Sequence, residues 1–516
     1  MAYLYGASIQ GIQGFIFETN KLKEIVGASD LVEWICSLEL LNKFCREDSC
    51  IKIPINDVLR NAGGNIRIKF EDKNNLEDFV KIFPKIVMQE AYGIVVSQAI
   101  VSYDDNNDYL EVVDNLEKKL KSARNKASYP LDAKFALMRQ APRTGKPAYE
   151  KRGKELYDKA SWQKLGSDAP AWLEMLLYKM GQKDKEYINN FTLDMSEISN
   201  NNNKIAIVHA DGNKMGLKLQ EMKTALMDKS TQDIQNAYKE LSAHIVSATN
   251  DAIQSAFEEV FEDEINASIR DSSKKIPFRP AIIGGDDITV ICHADKAIDF
   301  TKKYLEKFEH YTKTYFENLV KKYSLDIFKE GLTACAGIAY CNEKFPFHYA
   351  VSLAEELCGR AKKASKREDS CLLFHNIQGA AFVDYDIYVQ NELIVDNGTT
   401  ATHLEYGPYY VRENGKKPYL GDLQDLYDAM TKESFPLGKL REWLSELHYS
   451  DEYAKGYLER VKVMVERNSK KDELSHLNHM LKKLGDFSLD KLINENNKTP
   501  INDILQLKSV QGGKDV

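Results

Sequence analysis

A chain of 516 residues with 43% hydrophobic content is too long for one ordinary domain and apolar enough to bury several cores, so about three or four domains are expected. Its 70 basic and 78 acidic residues leave a net charge of −8, which excludes a globally basic nucleic-acid binder but leaves room for a local basic groove. Eight scattered cysteines exclude a disulfide scaffold and propose no zinc site; no apolar run has membrane-spanning length and Met1–Gly6 lacks a signal-peptide pattern, so a cytoplasmic protein with no membrane contact is expected.

In chain order, Tyr3–Phe17 carries strand and turn residues, and a helix is expected from about Lys21 to Phe44. Asn61-Ala62-Gly63-Gly64-Asn65-Ile66-Arg67-Ile68-Lys69-Phe70 predicts a hairpin around its glycine pair. Residues 135–165 contain the loop Gln140–Ala148, whose Arg143 and Lys146 suit either solvent or a nucleic-acid backbone. Trp162 and Trp172 belong to a helical patch after it, and the asparagine-rich stretch Asn189–Lys204 predicts a linker or surface loop.

A second series repeats this order. Ile205–Ala210 is a buried strand, Gln232–Phe261 an amphipathic helix, and Phe278–Cys292 a hairpin; a helix from Lys296 to about Lys322, the strand Leu332–Tyr340 and the helix Phe347–Lys366 follow. Such an order predicts an α+β palm, an antiparallel sheet with helices on one face. Helices of alternating charge dominate from Leu420 to Leu507, and Gly512–Val516 has the composition of a frayed tail. The expected fold class is therefore α+β, with two ferredoxin-like palm domains at residues 1–110 and 204–380. A helical inter-palm insert and linker fills 111–203, and a mainly helical C-terminal domain fills 381–516.

The chemistry concentrates in the second series. Ala281-Ile282-Ile283-Gly284-Gly285-Asp286-Asp287-Ile288-Thr289-Val290-Ile291 places adjacent acids in an apolar hairpin, which is costly unless a cation compensates them. Hard divalent cations prefer such oxygen ligands. The strand Lys204–Ala210 delivers Asp211 and Gly212 to its end, and acids from two strands in one place suit two-metal phosphoryl or nucleotidyl transfer. Other readings stay open for the residues taken singly: a plain turn for Gly284–Asp287, a helix N-cap for Asp211, packing for His209 and His293, and solvation of a helix end by Lys362 and Lys363. In the first series the acids are missing. Asn65 and Ile66 stand where Asp286 and Asp287 stand, with Ser8 and Gln10 near the place of Asp211, so the first palm is expected to be degenerate and structural.

In this order the motifs resemble the palm-domain polymerase subunit of type III CRISPR effector complexes, with GGDEF diguanylate cyclases and class III nucleotidyl cyclases as wider relatives. The resemblance is carried by Ala210-Asp211-Gly212-Asn213-Lys214-Met215-Gly216, Gly284–Asp287, Ala336-Gly337-Ile338-Ala339, Lys344-Phe345-Pro346-Phe347 and the helix Ala354–Lys363. Gly11-Ile12-Gln13 and Leu22–Ser29 carry it in the first palm. It implies a nucleotidyltransferase that uses ATP and two Mg2+ or Mn2+ ions to make a cyclic oligoadenylate-type second messenger in antiviral defence. As the large subunit of an RNA-guided complex it would have guide RNA, target RNA and other effector subunits as partners. A free-standing GGDEF-like cyclase making a cyclic dinucleotide and a non-catalytic RNA-binding scaffold are the alternatives.

Under this resemblance Asp211, Asp286 and Asp287 are the metal-binding and catalytic acids. Gly212, Asn213, Gly284 and Gly285 approach phosphate or ribose, and Lys362 or Lys363 meets the outer phosphates. The helices around Trp443 either dock a partner or complete the core. Three departures from the family carry expectations. No His-Asp dipeptide occurs, so the family's nuclease activity is expected to be absent. The Arg143–Lys146 segment has no cysteine, so no zinc is expected. The family's further acid near Asn213 is missing, which weakens the expected hold on metal.

Overall fold

The computed structural model describes residues 2–37, 40–41, 57–62, 64–104, 109–126, 137–166, 190–379, 384–396, 401–413, 415, 418–432 and 435–511. Trp172, Asn189 and the tail Gly512–Val516 lie outside the described residues.

The first palm comprises β1 (Ala2–Gln10), α1 (Leu22–Cys36), the hairpin β2 (Val58–Ala62) and β3 (Asn65–Phe70), α2 (Lys73–Glu90), β4 (Val95–Tyr103) and α3 (Tyr109–Arg124). Its four strands pair antiparallel in the order β2-β3-β1-β4. The central strand β1 is buried on both faces, because helices cover both. On one face Phe79 of α2 meets Tyr5 edge-on at 5.1 Å. On the other, a Cβ at Gly6 would lie 3.0 Å from Leu116 and from Leu120 of α3. Since α3 covers this sheet, the first palm runs beyond residue 110.

The described part of the insert is a hairpin, β5 (Ala148–Arg152) with β6 (Glu155–Asp158), followed by the short helix α4 (Lys159–Lys164). It is therefore not purely helical. The loop before it lies at the surface, but its two basic side chains are engaged within the protein. Arg143 forks onto Glu24 of α1 at 2.7 and 3.2 Å, reaches Glu155 at 3.1 Å and lies over the Tyr157 ring. Lys146 pairs with Glu18 at 2.6 Å. Planar guanidinium–carboxylate forks of this kind fix orientation, so the segment clamps the insert to the first palm.

The second palm comprises β7 (Lys204–Gly212), α5 (Met215–Ala225), α6 (Thr231–Val260), α7 (Glu262–Arg270), β8 (Phe278–Gly284), β9 (Asp287–His293), α8 (Ala297–Tyr323), β10 (Ala334–Asn342), α9 (Phe347–Ala364) and β11 (Cys371–Asn376). Its sheet has the order β14-β11-β10-β7-β9-β8, where β14 is Tyr409–Tyr410 of the C-terminal region. Two expectations are corrected here. The sheet is mixed, because β11 runs parallel to β10 and α9 is the crossover such a pair requires. Helices also cover both faces. Phe278, Cys292 and Ala206 are register partners, and Phe257 of α6 and Phe300 of α8 pack against Phe278. Gly337 and His209 lie on the opposite face, where a Cβ at Gly337 would come within 2.0 Å of the Ala354 carbonyl in α9. Only glycine lets that helix backbone rest on the strand.

The two palms repeat each other in detail. β8-β9-β7-β10 has the connectivity of β2-β3-β1-β4, and the register shift at Val58/Arg60 recurs at Pro280/Ile282. The Ile9 N–H donates to the Gly64 carbonyl at 2.8 Å, as the Gly212 N–H donates to the Asp286 carbonyl at 3.1 Å. Strand pairing puts Ser8 opposite Asn65 and Asp211 opposite Asp287. The equivalents of Asp286 and Asp287 are thus Gly64 and Asn65, one residue earlier than the sequence motif suggests, because the hairpin tip is shifted relative to the glycine pair. Contacts between the palms are reciprocal, with α1 against β8 and α6 against β2.

The C-terminal region adds β12 (Ile394–Asp396), β13 (Ala401–His403), β14, and the helices α10 (Leu420–Met430), α11 (Leu437–Glu446), α12 (Asp451–Asn468), α13 (Lys471–Gly485) and α14 (Ile501–Val510). Trp443 is 2% exposed, so its side chain belongs to the core. Helix α14 seals the edge of the second palm: Gln506 accepts from the Asn376 N–H at 2.8 Å. Among the described residues no helix is long and apolar enough to cross a membrane.

Candidate active site

The antiparallel register sets Asp211 at the end of β7 opposite Asp287 at the start of β9, so both side chains leave the same face of the sheet. Asp286 occupies the hairpin tip after Gly285, whose φ of +70° suits glycine at a tight turn. Gly212 completes the arrangement. A Cβ there would lie 2.7 Å from Asp286 Oδ2 and 3.0 Å from Asp286 Cβ, so the missing side chain is what lets the Asp286 carboxylate lie over the end of β7.

Two of these carboxylates, Asp286 and Asp287, lie largely out of water and are held away from their ordinary ionisation. Burial pushes Asp287 up to about 7, with Asp211, Asp286 and Glu355 adding to the shift. Burial and then Asp211 raise Asp286, against the pull of Lys362 and of Arg60 from the first palm. Asp287 Oδ1 is buried with no hydrogen-bond partner among the described residues, an unusual state for a carboxylate oxygen.

Lys362 enters from the last turn of α9. Its buried ammonium donates to Asp211 Oδ2 and, at 2.7 Å, to the Gly212 carbonyl. It is thus a site residue, but in this arrangement it neutralises Asp211 rather than standing free for a phosphate. A cavity of about 460 Å3 opens here, lined by Asp211, Asp286, Lys362, Lys214 and Arg367 among others. Lys214 and Arg367 were not singled out from sequence. Both adopt left-handed backbone, with φ of 55° and 59°. Lys214 precedes α5, and the Arg367 N–H closes the end of α9 on the Lys362 carbonyl at 2.8 Å. Their sequence signal was their place beside the Asp211 motif and in the basic run after Lys362. Glu355, also missed, is raised to about 7 by burial and then by Glu356.

The other residues expected at the site serve different ends. Asn213 is buried and spends its donors on structure: its N–H donates to the Thr333 carbonyl at 2.7 Å, and Nδ2 donates to Thr333 Oγ1 at 3.0 Å and the Asp369 carbonyl at 3.2 Å, while Oδ1 has no hydrogen-bond partner among the described residues. Gly284 and Gly285 shape the hairpin without lining the cavity, and the Gly285 carbonyl accepts from Thr249 Oγ1 at 2.6 Å. Lys363 is exposed and off the cavity. One residue along a helix is about 100° of rotation, so it cannot share the position of Lys362. His209 packs against Thr289 at 3.1 Å, and burial lowers it to about 4.

The oxygen donors of Asp211, Asp286 and Asp287 suit a hard divalent cation, and the orphaned Asp287 Oδ1 fits the same purpose. Among the described residues, however, no three His, Cys, Asp or Glu side chains are already spaced as a metal site.

Residues 204–371 match the family model described as Cas10/Cmr2, second palm domain. This segment is a palm domain of the Cas10/Cmr2 type. Among solved structures, the Csm1–Csm4 cassette in complex with pppApA is similar over 99% of this chain and 69% of that chain, with 13% identity and a TM-score of 0.51. The cassette in complex with AMPPNP gives 99%, 69%, 14% and 0.51, and Csm1 from T. onnurineus gives 99%, 70%, 13% and 0.51. At these identities the likeness is one of fold. No curated protein matches the chain. Within this Cas10-like palm the acids stand on the β7 end and the β8–β9 tip, while the equivalent places of the first palm hold Ser8, Gly64 and Asn65. The first palm therefore lacks the ligands for a second carboxylate cluster.

Proposed function

We propose that this protein is a metal-dependent nucleotidyltransferase that joins ATP into a cyclic oligoadenylate-type messenger, as the large subunit of a type III CRISPR effector complex. The observation that carries the proposal is the meeting of Asp211, Asp286 and Asp287 at neighbouring strand ends, with Asp211 and Asp286 lining a cavity that Lys214, Lys362 and Arg367 also line, within a Cas10/Cmr2-type second palm. Related structures contain pppApA and AMPPNP, which favours adenine nucleotides. They are Csm1–Csm4 cassettes, which favours a Csm4-type subunit as partner, with guide and target RNA beyond it.

Asp211 and Asp286 would be the principal ligands of two Mg2+ or Mn2+ ions, with Asp287 as third ligand or as the group orienting the attacking 3′-hydroxyl. Such ions would supply charge neutralisation at the attacking and leaving oxygens. Lys214 and Arg367, at the cavity wall, are placed to meet the phosphates that Lys362 cannot reach while it holds Asp211. In the reaction the 3′-oxygen of one nucleotide bonds to the α-phosphorus of another as the α–β phosphoanhydride bond breaks and pyrophosphate leaves. The protein's part is chiefly to position and neutralise.

The test is incubation of purified protein with ATP and Mg2+ or Mn2+, with and without co-purifying RNA and subunits, read by mass spectrometry. Adenylate products lost in an Asp286→Ala/Asp287→Ala variant that still folds support the proposal. Undiminished metal-dependent synthesis in that variant would remove the site assignment. A protein that neither binds nor converts any nucleoside triphosphate, even with its native partners, would be a scaffold.

A further inference from the structure

A second cavity, of about 530 Å3, lies between α11, α14 and the start of β7. It is separate from the catalytic acids: Lys204 opens β7 and Asp211 stands near its other end, about 23 Å away at the rise of an extended strand. Its basic lining residues are Lys204, Arg441 and His448, and among the described residues no carboxylate lines it.

The environment of Lys204 is the most informative part. Its ammonium donates to Asn376 Oδ1 at 2.9 Å and to the Ile377 carbonyl at 3.1 Å. Both acceptors are neutral, and an ammonium carries three donors, so one is left over. Burial lowers its basicity and no carboxylate counters that effect. A partly buried cation without a counter-ion is costly, and an anion in the cavity would relieve it.

The helices supply donors to the same space. Arg441 and Ser445 face it from α11 and His448 from the turn that follows, while Asn502, Gln506 and Ser509 recur at helical spacing on α14; the two serine hydroxyls already donate to the Arg441 and Gln506 carbonyls, so the open donors are those of Arg441, Asn502 and Gln506. Neither Arg441 nor His448 forms a salt bridge among the described residues. Asn502 Nδ2 is buried without a hydrogen-bond partner there. The Gln506 Oε1 is already used by the Asn376 N–H, which leaves its amide donors. Leu404, Leu444 and Leu505 give the cavity an apolar wall. Unspent donors, excess positive charge and an apolar wall form a receptor for an anion attached to a flat or apolar group, and the volume lies in the range of small-molecule sites.

We propose that this cavity binds a phosphate-bearing small molecule of nucleotide size, the phosphate lying among Lys204, Arg441 and Asn502. The inference does not depend on the reaction proposed for the catalytic palm. Isothermal titration of the full chain with AMP, in EDTA so that metal-dependent binding elsewhere is suppressed, tests it. Inorganic phosphate and adenosine are the comparison probes. Arg441 is exposed, so Arg441→Ala leaves the fold intact, and a thermal melt verifies this.

The expected result is AMP binding that weakens about tenfold or more in Arg441→Ala, as for a lost charge-assisted bond, and that persists in Arg367→Ala at the catalytic cavity. Phosphate competes with AMP, and adenosine binds at least about tenfold more weakly for the same reason. Full competition by phosphate with no gain from the nucleoside assigns the site to the free anion; tighter AMP binding assigns it to the nucleotide. Absence of binding by AMP and phosphate at millimolar concentration overturns the proposal. So do equal affinities for adenosine and AMP, or loss of binding in Arg367→Ala with Arg441→Ala unaffected.

Discussion

Replacing Gly212 by alanine tests the catalytic geometry with the smallest possible change. The new Cβ would lie 2.7 Å from Asp286 Oδ2, 3.0 Å from Asp286 Cβ and 3.3 Å from Asp286 Cγ. Ordinary contact begins near 3.4 Å, so the Asp286 carboxylate must retreat by about 0.7 Å, and the hydrogen bond from the Gly212 N–H to the Asp286 carbonyl holds the hairpin tip while it does so. Misplacement of a reacting or ligating group by about 1 Å costs on the order of 100-fold in rate, or about 2.7 kcal/mol of transition-state stabilisation. Local overpacking costs about 1–3 kcal/mol of folding stability, too little to unfold a chain with so extensive a core. ATP conversion under Mg2+ or Mn2+, followed by mass spectrometry or pyrophosphate release beside a thermal melt, should show a folded protein with about 100-fold lower turnover. Wild-type turnover in Gly212→Ala would refute the reasoning, since Asp286 would then be free to move without consequence.

Lys362→Met removes the cation held against Asp211. Synthesis should fall by about 100-fold or more, while the rise in melting temperature on adding Mg2+ should exceed that of the wild type, because Asp211 loses the cation paired with it; an unchanged Mg2+ response contradicts this. Lys363→Ala, altering an exposed residue off the cavity, should leave turnover and melting temperature unchanged, and a large loss of activity would return Lys363 to the site. In metal-free buffer, stability should decline as pH rises. Asp287 is raised to about 7 in the folded protein from an ordinary carboxylate value near 4, so the native state holds the extra proton between those limits. Its contribution is complete below the lower value and is lost as pH rises through the upper one. Melting temperatures between pH 4 and 8 should show a shallower fall in Asp287→Asn; part of what remains comes from Glu355 and Asp503, both also raised to about 7, and from Asp286, which burial also raises.

Much of the second palm was legible because its elements are long and strongly periodic. The strand ending at Asp211, the acid-bearing hairpin and the helix holding Lys362 fall close to their expected places. Cys371–Asn376 escaped notice because a short apolar run is ambiguous between strand and buried helix; its pairing with β10 exists only in the folded sheet. The equivalence between palms was misread by one residue for a related reason. Glycine pairs mark a turn, but the strand register fixes which residue stands at its tip, and Gly64 and Asn65 hold those places.

Sequence by itself determined the duplicated α+β order, the absence of acids in the first palm, and the identity of the three carboxylates in the second. These follow from local pattern and residue type, which a linear chain carries openly. Tertiary structure alone decided that Asn213 is a strut and Lys363 a solvent residue, that Lys362 rests on Asp211, and that Arg143 clamps the insert. It also decided that Lys204, Arg441 and Asn502, separated by up to hundreds of positions, share a cavity. Each of these depends on which face of an element meets which neighbour. Packing distant segments sets that relation, and with it the burial and pairing from which each charged group draws its chemistry.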